Sequence, residues 1–427
     1  MTTSPGNPSG GGLRQEEKIL RETVAILGRL GQGGHLQDLL EASPLNGPLL
    51  QNTVSTICRH QARYDWIIDQ AAPAARNRQR LLLQWVLCQH LHLKTLPAQA
   101  AATAAVTFAR RAYHSREAGF INAVLRQLLA TPAEVWAARI EAAAPAAVRL
   151  DLGESLYSQW SGEFPPETLA EWSELLRRPA PPALRLRQGV ACPPELQILL
   201  DPLPPLSPWS EVLMWEVRET AAFFNHPLFS PERFYFQDPA TLAAPALLAA
   251  APGETVADLC CAPGGKALLI AEMMRGQGTL ICRDRSEARL ERVRRNLADY
   301  GGLCQIAVGD AASPGLPDHS LDGLLLDVPC SNTGVLRRRP DVRLHFSRRG
   351  LDELVSVQAA LLDAGAPLIR PGGRLVYSTC SVEPVENRCQ VEAFLERHPR
   401  FHLETEAPLF PCSWHDGGYA ARLRCLS

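Results

Sequence analysis

After Phe234 the chain alternates short apolar runs with amphipathic stretches, and this rhythm restricts the fold more than any other feature. Residues 255–259, 279–282, 304–308, 321–326 and 374–378 have the length and apolar content of buried strands. Between them, 287–300, 351–368 and 384–397 carry apolar residues at helical spacing. Strands alternating with helices imply βαβ units, and these assemble as a mostly parallel, doubly wound sheet. In such a sheet chemistry collects at the carboxyl ends of the strands, where loops vary without disturbing the core. The residues at those ends are the first candidates for function.

The chain before Phe234 has a different texture. From Leu13 to about Leu129 the pattern is helical throughout: Ile19, Leu20, Thr23, Val24 and Leu27 recur at helix spacing, as do Leu82, Leu83, Val86, Leu87, His90 and Leu91. Gly31, Gly33, Gly34, Pro44, Gly47, Pro73 and Pro97 supply turns. This predicts an all-α domain over 13–135. Residues 136–233 mix short apolar pieces with proline clusters and predict a linker helix followed by a small α/β subdomain, leaving 234–427 for the doubly wound domain. A chain of 427 residues, 46% of them hydrophobic, is long enough for several cores. Residues 1–12, through Ser9 and Gly12, carry no pattern that could be buried and are expected to form a disordered tail.

Neither a basic segment leading into an apolar one nor an apolar run of bilayer length occurs, so no signal peptide and no membrane contact are expected and a cytoplasmic location is. The 12 cysteines then read as reduced thiols. No two have C-x-x-C spacing, which argues against a zinc or redox motif, and no metal is expected. A net charge of −2 does not by itself point to nucleic acid. Of 43 basic residues only Lys18, Lys94 and Lys266 are lysines. Lys266 stands out, because arginine is the default here unless a compact ammonium is needed.

The first strand of the alternating region runs into Asp258, Leu259, Cys260, Cys261, Ala262, Pro263, Gly264, Gly265 and Lys266, and then a helix. Glycines let a backbone pass close to a ligand, and the helix offers free N–H groups. The G-x-G-x-x-G and G-x-x-x-x-G-K-[ST] spacings are both absent, which disfavours a dinucleotide and ATP. Asp284 closes the second strand, where a carboxylate can accept both hydroxyls of a ribose. Asp310 follows the third strand and Asp327 closes the fourth. Three carboxylates at successive strand ends favour an adenosine-containing cofactor. Cys330 and Cys380 each follow a buried-strand pattern, so two thiols can converge on one substrate, one attacking while the other manages protons.

Segments 258–266, 327–334 and 378–387 resemble the signature blocks of the Sun (Fmu) family of RNA cytosine-5 methyltransferases, in its branch acting on small-subunit ribosomal RNA. The helical part resembles that branch's NusB-like RNA-binding domain, best over 119–126, and 234–238 resembles the strand that introduces the catalytic domain. The resemblance implies a Rossmann-like methyltransferase domain, S-adenosyl-L-methionine as methyl donor, RNA as partner and a monomer. Carried over position by position, Cys260 to Lys266 would line the methionine part of the cofactor, Asp284 would hold the ribose, Asp310 the adenine side, and Asp327 the place where cofactor and base meet. Cys380 matches the family's nucleophile and Cys330 the cysteine that assists product release. Asp327 would hold the base edge, donating to N3 if protonated, and Lys266 would favour the thiolate or contact the base.

Rival readings are the same chemistry on transfer RNA and a non-catalytic RNA-binding assembly factor. Arg337 to Arg339, Arg348, Arg349, Arg292, Arg294 and Arg295 are expected to form a phosphate-binding rim. Three positions depart from the family pattern: Val328, Leu344 and the ending Asp416-Gly-Gly-Tyr419.

Overall fold

The structure, a computed structural model, describes residues 11–208, 210 and 212–426, with side chains from residue 15 onward. Residues 1–10 of the expected tail lie outside the described residues, and Gly11 and Gly12 begin the first helix. The chain divides into two compact units. One comprises the described residues up to Arg178 together with Arg339–Ser347, the other Pro179–Arg338 with the chain from Arg348 on.

The first unit is helical, and proline sets its punctuation. Helices Pro48–Ala71, Ala98–Ala112, Ala133–Ala143, Ala146–Arg149 and Pro166–Leu176 each have a proline at the cap or first turn. A residue with no N–H and a fixed φ leaves nothing unsatisfied there. Repeated proline starts also explain why four short helices, rather than one linker helix, lie between Ala133 and Leu176. The core is built from the periodic positions: Leu20, Leu82, Leu83, Val86, Ile121 and Leu128 are completely buried. Each such side chain contributes about 1.5–3 kcal/mol relative to exposure.

Asp151, in a left-handed turn, forms ion pairs with Arg63 Nε at 2.9 Å and Arg177 Nε at 3.3 Å and meets His60 Nδ1 at 3.0 Å. The excursion 339–347 packs in the same unit. Arg343 donates from Nε to the Asp151 carbonyl at 3.1 Å and from Nη2 to that of Leu176 at 2.9 Å. A Cβ at Gly153 would stand 2.6 Å from the Arg343 carbonyl, so only glycine fits beside it. Leu344, one of the departures from the family pattern, packs on this helical core.

The second unit opens with a small antiparallel sheet of β1 (Ala183–Leu186), β2 (Leu200–Pro202), β3 (Trp215–Val217) and β4 (Phe234–Phe236), in the order β2-β3-β1-β4. Its own core joins Leu184, Leu196, Leu200, Val217, Phe223 and Phe234.

The large sheet follows: β5 (Thr255–Asp258), β6 (Thr279–Asp284), β7 (Cys304–Val308), β8 (Leu321–Asp327), β9 (Ile369–Thr379), β10 (Phe401–Leu409) and β11 (Gly418–Cys425), in the order β10-β11-β9-β8-β5-β6-β7. Strands β5 to β9 are mutually parallel, and the β10–β11 hairpin adds antiparallel to β9. This is the mostly parallel, doubly wound architecture that the strand–helix rhythm implies. Leu324, Leu325 and Leu326 on β8 and Leu375, Val376 and Tyr377 on β9 are all completely buried, as expected of central strands covered on both faces. The carboxyl ends of β5, β6, β8 and β9 therefore open on one edge of this sheet.

Candidate active site

At the end of β5 the backbone turns sharply. Gly264 adopts φ +103, a conformation that disfavours any side chain, and helix Gly265–Met273 starts immediately after it. A Cβ at Gly265 would come within 2.8 Å of the Tyr235 hydroxyl. Asn296 braces the same turn by donating from Nδ2 to the Pro263 carbonyl at 2.9 Å. The loop is thus held from outside by Tyr235 and Asn296, while its other face and the N–H groups at the helix start remain for a ligand.

The carboxylates divide by environment. Asp284, buried at the end of β6, accepts the Ala262 N–H at 3.3 Å and the Ser286 N–H at 3.0 Å, tying the glycine loop to the next strand end. Asp310 lies two residues past β7, half exposed, and grips Arg285 through Nε at 3.0 Å and Nη2 at 2.9 Å. The Ala312 N–H first, and then Arg285, hold its carboxyl below the usual range. Asp258, buried at the end of β5, is pushed up to about 7 by burial and then by the charge of Asp327, against the pull of Lys266. Burial, with Asp258, Asp327 and Asp284 nearby, likewise pushes the Cys260 thiol up, which keeps it protonated.

Asp327 Oδ2 and Lys266 Nζ form a part-buried ion pair at 2.7 Å. Burial works against the ammonium, but Asp327, Cys380 and Asp258 together hold its pKa above the ordinary lysine value. In that pair the Asp327 Oδ2 is the acceptor. The donor at this point is Lys266.

Cys330 and Cys380 meet. Their sulfurs lie 3.2 Å apart, and the Cys380 N–H points at the Cys330 sulfur from 3.3 Å. Parallel pairing of β8 with β9 produces this, because Asp327 stands opposite Ser378 and both chains then turn the same way. Cys330 is buried, whereas Cys380 is partly open. The bond to Cys380, then burial, raises the Cys330 thiol well above its ordinary value, so Cys330 is the sulfur that keeps its proton.

A buried polar network locks the two loops together. The Ser331 and Thr333 hydroxyls each lie 3.1 Å from the Ser381 hydroxyl, and Glu386 accepts the Ser331 N–H and Gln358 Nε2, both at 2.9 Å. Gly334 donates to the Cys380 carbonyl at 3.0 Å and accepts from Gly417 at 2.8 Å. A Cβ on Gly334 would meet the Gly417 carbonyl oxygen at 2.5 Å. Beside Cys380 a small cavity of about 40 Å³ is lined by Lys266, Thr241, Asp238 and Asp416 among others.

The arginines of the expected rim separate. Arg338 reaches inward, pairing Asp416 from Nε at 2.8 Å and Asp238 from Nη2 at 2.9 Å. Arg337 is buried and donates to the carbonyls of Cys412 and Ser413, and Arg339 faces Asp341 at 3.6 Å. Arg337 is structural, because its burial leaves no open face for a phosphate, whereas Arg338 holds the 412–418 turn through Asp416 and Asp238 with about a third of its side chain still exposed. Arg348 and Arg349 stay exposed with partners four residues on, and Arg294 pairs Glu287 at 2.8 Å.

Sequence reasoning missed Asp258, Asn332, Glu386 and the Tyr235 brace. All four lie inside or beside segments singled out by sequence. Each had a visible signal, an amide, a carboxyl or an aromatic in a block otherwise explained by its cysteine or glycines.

Comparison with known families fits this geometry. Residues 245–413 match the family model described as 16S rRNA methyltransferase RsmB/F, and residues 23–130 match the NusB family. The RsmB/F match falls largely within the second unit, which is thus similar to the methyltransferase domain of that family. The chain is 43% identical over 175 residues to the ribosomal RNA small subunit methyltransferase B of Salmonella newport, covering 40% of this chain and 41% of that protein. The probable ribosomal RNA small subunit methyltransferase B of Synechocystis is 40% identical over 190 residues, 44% of this chain and 42% of the relative. The chain thus spans about two fifths of the length of the curated relatives it matches.

The solved structure of PH0851 superposes with a TM-score of 0.72 at 20% identity, covering 99% of this chain and all of that one, which bears on the fold. A methyltransferase homologue from Pyrococcus horikoshii superposes at 0.53 with 24% identity, covering 66% of this chain and 97% of its own. The RsmB/F match spans β5 to β10, both cysteine loops and the Asp327–Lys266 pair. Among the described residues no helix is long and apolar enough to cross a membrane, and no cluster of ligating side chains could hold a metal ion.

Proposed function

We propose that this chain transfers a methyl group from S-adenosylmethionine to carbon 5 of a cytosine in small-subunit ribosomal RNA. The single observation that carries the reading is the pair of sulfurs 3.2 Å apart at the ends of adjacent parallel strands, beside the Lys266–Asp327 pair.

The residues present suit the cofactor. Asp284, which accepts two backbone N–H groups and faces Arg289 at 3.6 Å, suits ribose hydroxyls as a carboxylate at the end of β6. The loop from Cys260 to Lys266 offers an open backbone and a helix N-terminus for the methionine end, and Val308, an exposed apolar side chain at the end of β7 near Asp310, suits the adenine side. Bound there, S-adenosylmethionine supplies an electrophilic methyl.

Carbon 5 of cytosine is too weak a nucleophile to take that methyl unaided. Cys380 as thiolate attacks carbon 6, which makes carbon 5 enamine-like and able to accept the group. Asp327 accepts from the exocyclic amino group, while the Lys266 ammonium faces the charge that builds on the ring. Afterwards a water molecule takes the carbon 5 proton, that electron pair restores the ring double bond, and the bond from carbon 6 to the Cys380 sulfur breaks with its pair returning to sulfur. The Cys330 S–H supports the departing sulfur as a hydrogen-bond donor.

The test supplies labelled S-adenosylmethionine with a small-subunit ribosomal RNA transcript and, separately, a transfer RNA pool, followed by nucleoside analysis. Label is expected as 5-methylcytosine in the ribosomal transcript. Label confined to transfer RNA, or on another base, would contradict the proposal.

A further inference from the structure

Asn332 sits between the two cysteine loops in the left-handed backbone region, φ 60 and ψ 22, which asparagine tolerates better than most residues. Its Nδ2 donates to the Cys330 carbonyl at 2.7 Å, and this settles which end of the amide is oxygen. That oxygen, Oδ1, lies 3.1 Å from Cys380 Sγ. An amide oxygen only accepts, so the hydrogen between them belongs to Cys380. The hydrogen between the two sulfurs then comes from Cys330, the thiol that burial and its neighbour keep protonated. The donors run in one direction, from Cys330 to Cys380 to Asn332.

We propose that Asn332 is a positioning residue that clasps the Cys380 thiol in the resting protein, holding its S–H toward Oδ1 until substrate displaces the amide. A thiolate at Cys380 would face the lone pairs of Oδ1 at 3.1 Å, which is repulsive, so the clasp must open before attack. When it opens, the S–H bond breaks, the proton passes to solvent and the electron pair stays on sulfur. The clasp thus favours the neutral thiol while no RNA is bound. The inference rests on the reading of Cys380 as the attacking thiol.

The test is alkylation of Cys380 by iodoacetamide near neutral pH, without RNA or methyl donor, quantified on the peptide by mass spectrometry. Asn332→Gly removes the acceptor yet keeps a residue at home in the left-handed region. Asn332→Asp keeps size and acceptor, adds negative charge and, like Asn332→Gly, gives up the N–H to the Cys330 carbonyl. Alkylation is expected to rise about fivefold in Asn332→Gly, the worth of one net hydrogen bond, and to fall by at least as much in Asn332→Asp. Opposite signs distinguish a clasp from a loop-shaping role, which would move both variants the same way. The isosteric Asp variant also excludes simple unblocking. Changes of the same sign, or no change in either variant, would overturn the proposal. Labelling needs no methyl transfer, so its failure is separate from failure of the methyltransferase reading, which activity of Cys380→Ala would reveal.

Discussion

Cys380→Ala is expected to lower methyl transfer to below about one thousandth of wild type while leaving S-adenosylmethionine affinity nearly unchanged. The expected size follows from covalent catalysis: without a thiolate at carbon 6, carbon 5 never becomes nucleophilic and no neighbour replaces that step. Cys330 cannot substitute, because it is buried and its thiol stays protonated. Cofactor affinity is expected to survive because Ala262, Pro263 and Asp284, in the part assigned to it, are anchored by contacts that do not involve Cys380. Single-turnover transfer with calorimetric titration of the cofactor checks both halves. Retention of more than a few percent of the rate would remove Cys380 from the attacking role.

The second large effect concerns stability and its dependence on pH. Asp258 is an ordinary carboxyl in the unfolded chain but stands near 7 in the fold, because burial and Asp327 oppose its charge. A carboxyl raised in the folded state contributes stability that is fully present below its unfolded value of 3.8. That contribution is lost progressively as pH rises toward 7 and is absent above it. Each unit of displacement corresponds to about 1.4 kcal/mol. Asp258→Asn keeps an acceptor for the Cys260 N–H and removes the ionisation. Its melting temperature is therefore expected to match wild type near pH 4 and to exceed it by several degrees at pH 8. Parallel melting curves across that range would contradict the assignment.

Much of this was legible in the sequence, and for identifiable reasons. Central strands such as Leu321–Asp327 are continuous apolar runs, and their burial on both faces makes them visible without a partner. The β10–β11 hairpin was not visible. Its strands carry Glu404, Arg422 and Arg424, whose charges pair across the ladder, and Glu406, which pairs with Arg388, and these charges conceal the alternation. Helix Arg348–Gly365 matched its apolar period, yet its start lay three residues earlier, where Arg348 and Arg349 pair Asp352 and Glu353.

At the site, the residues at strand ends could be read one strand at a time. Contacts between strand ends could not. That Arg338 would turn inward to Asp238 and Asp416, 100 and 78 residues away, depends on the folded turn 412–418 and not on any local pattern. The excursion 339–347 is similar, since Arg343 reads as a surface arginine until Asp151 and Leu176 supply its acceptors.

The most direct measurement of the central claim uses Cys330→Ala with S-adenosylmethionine and the ribosomal RNA target. Cys330 is assigned to release, so its loss should stall the reaction after methyl transfer, with RNA still bonded to the protein. A slow-migrating species on a denaturing gel is predicted, with peptide mapping placing the RNA on Cys380. Attachment at any other residue, or a loss of turnover with no covalent species, would contradict the account.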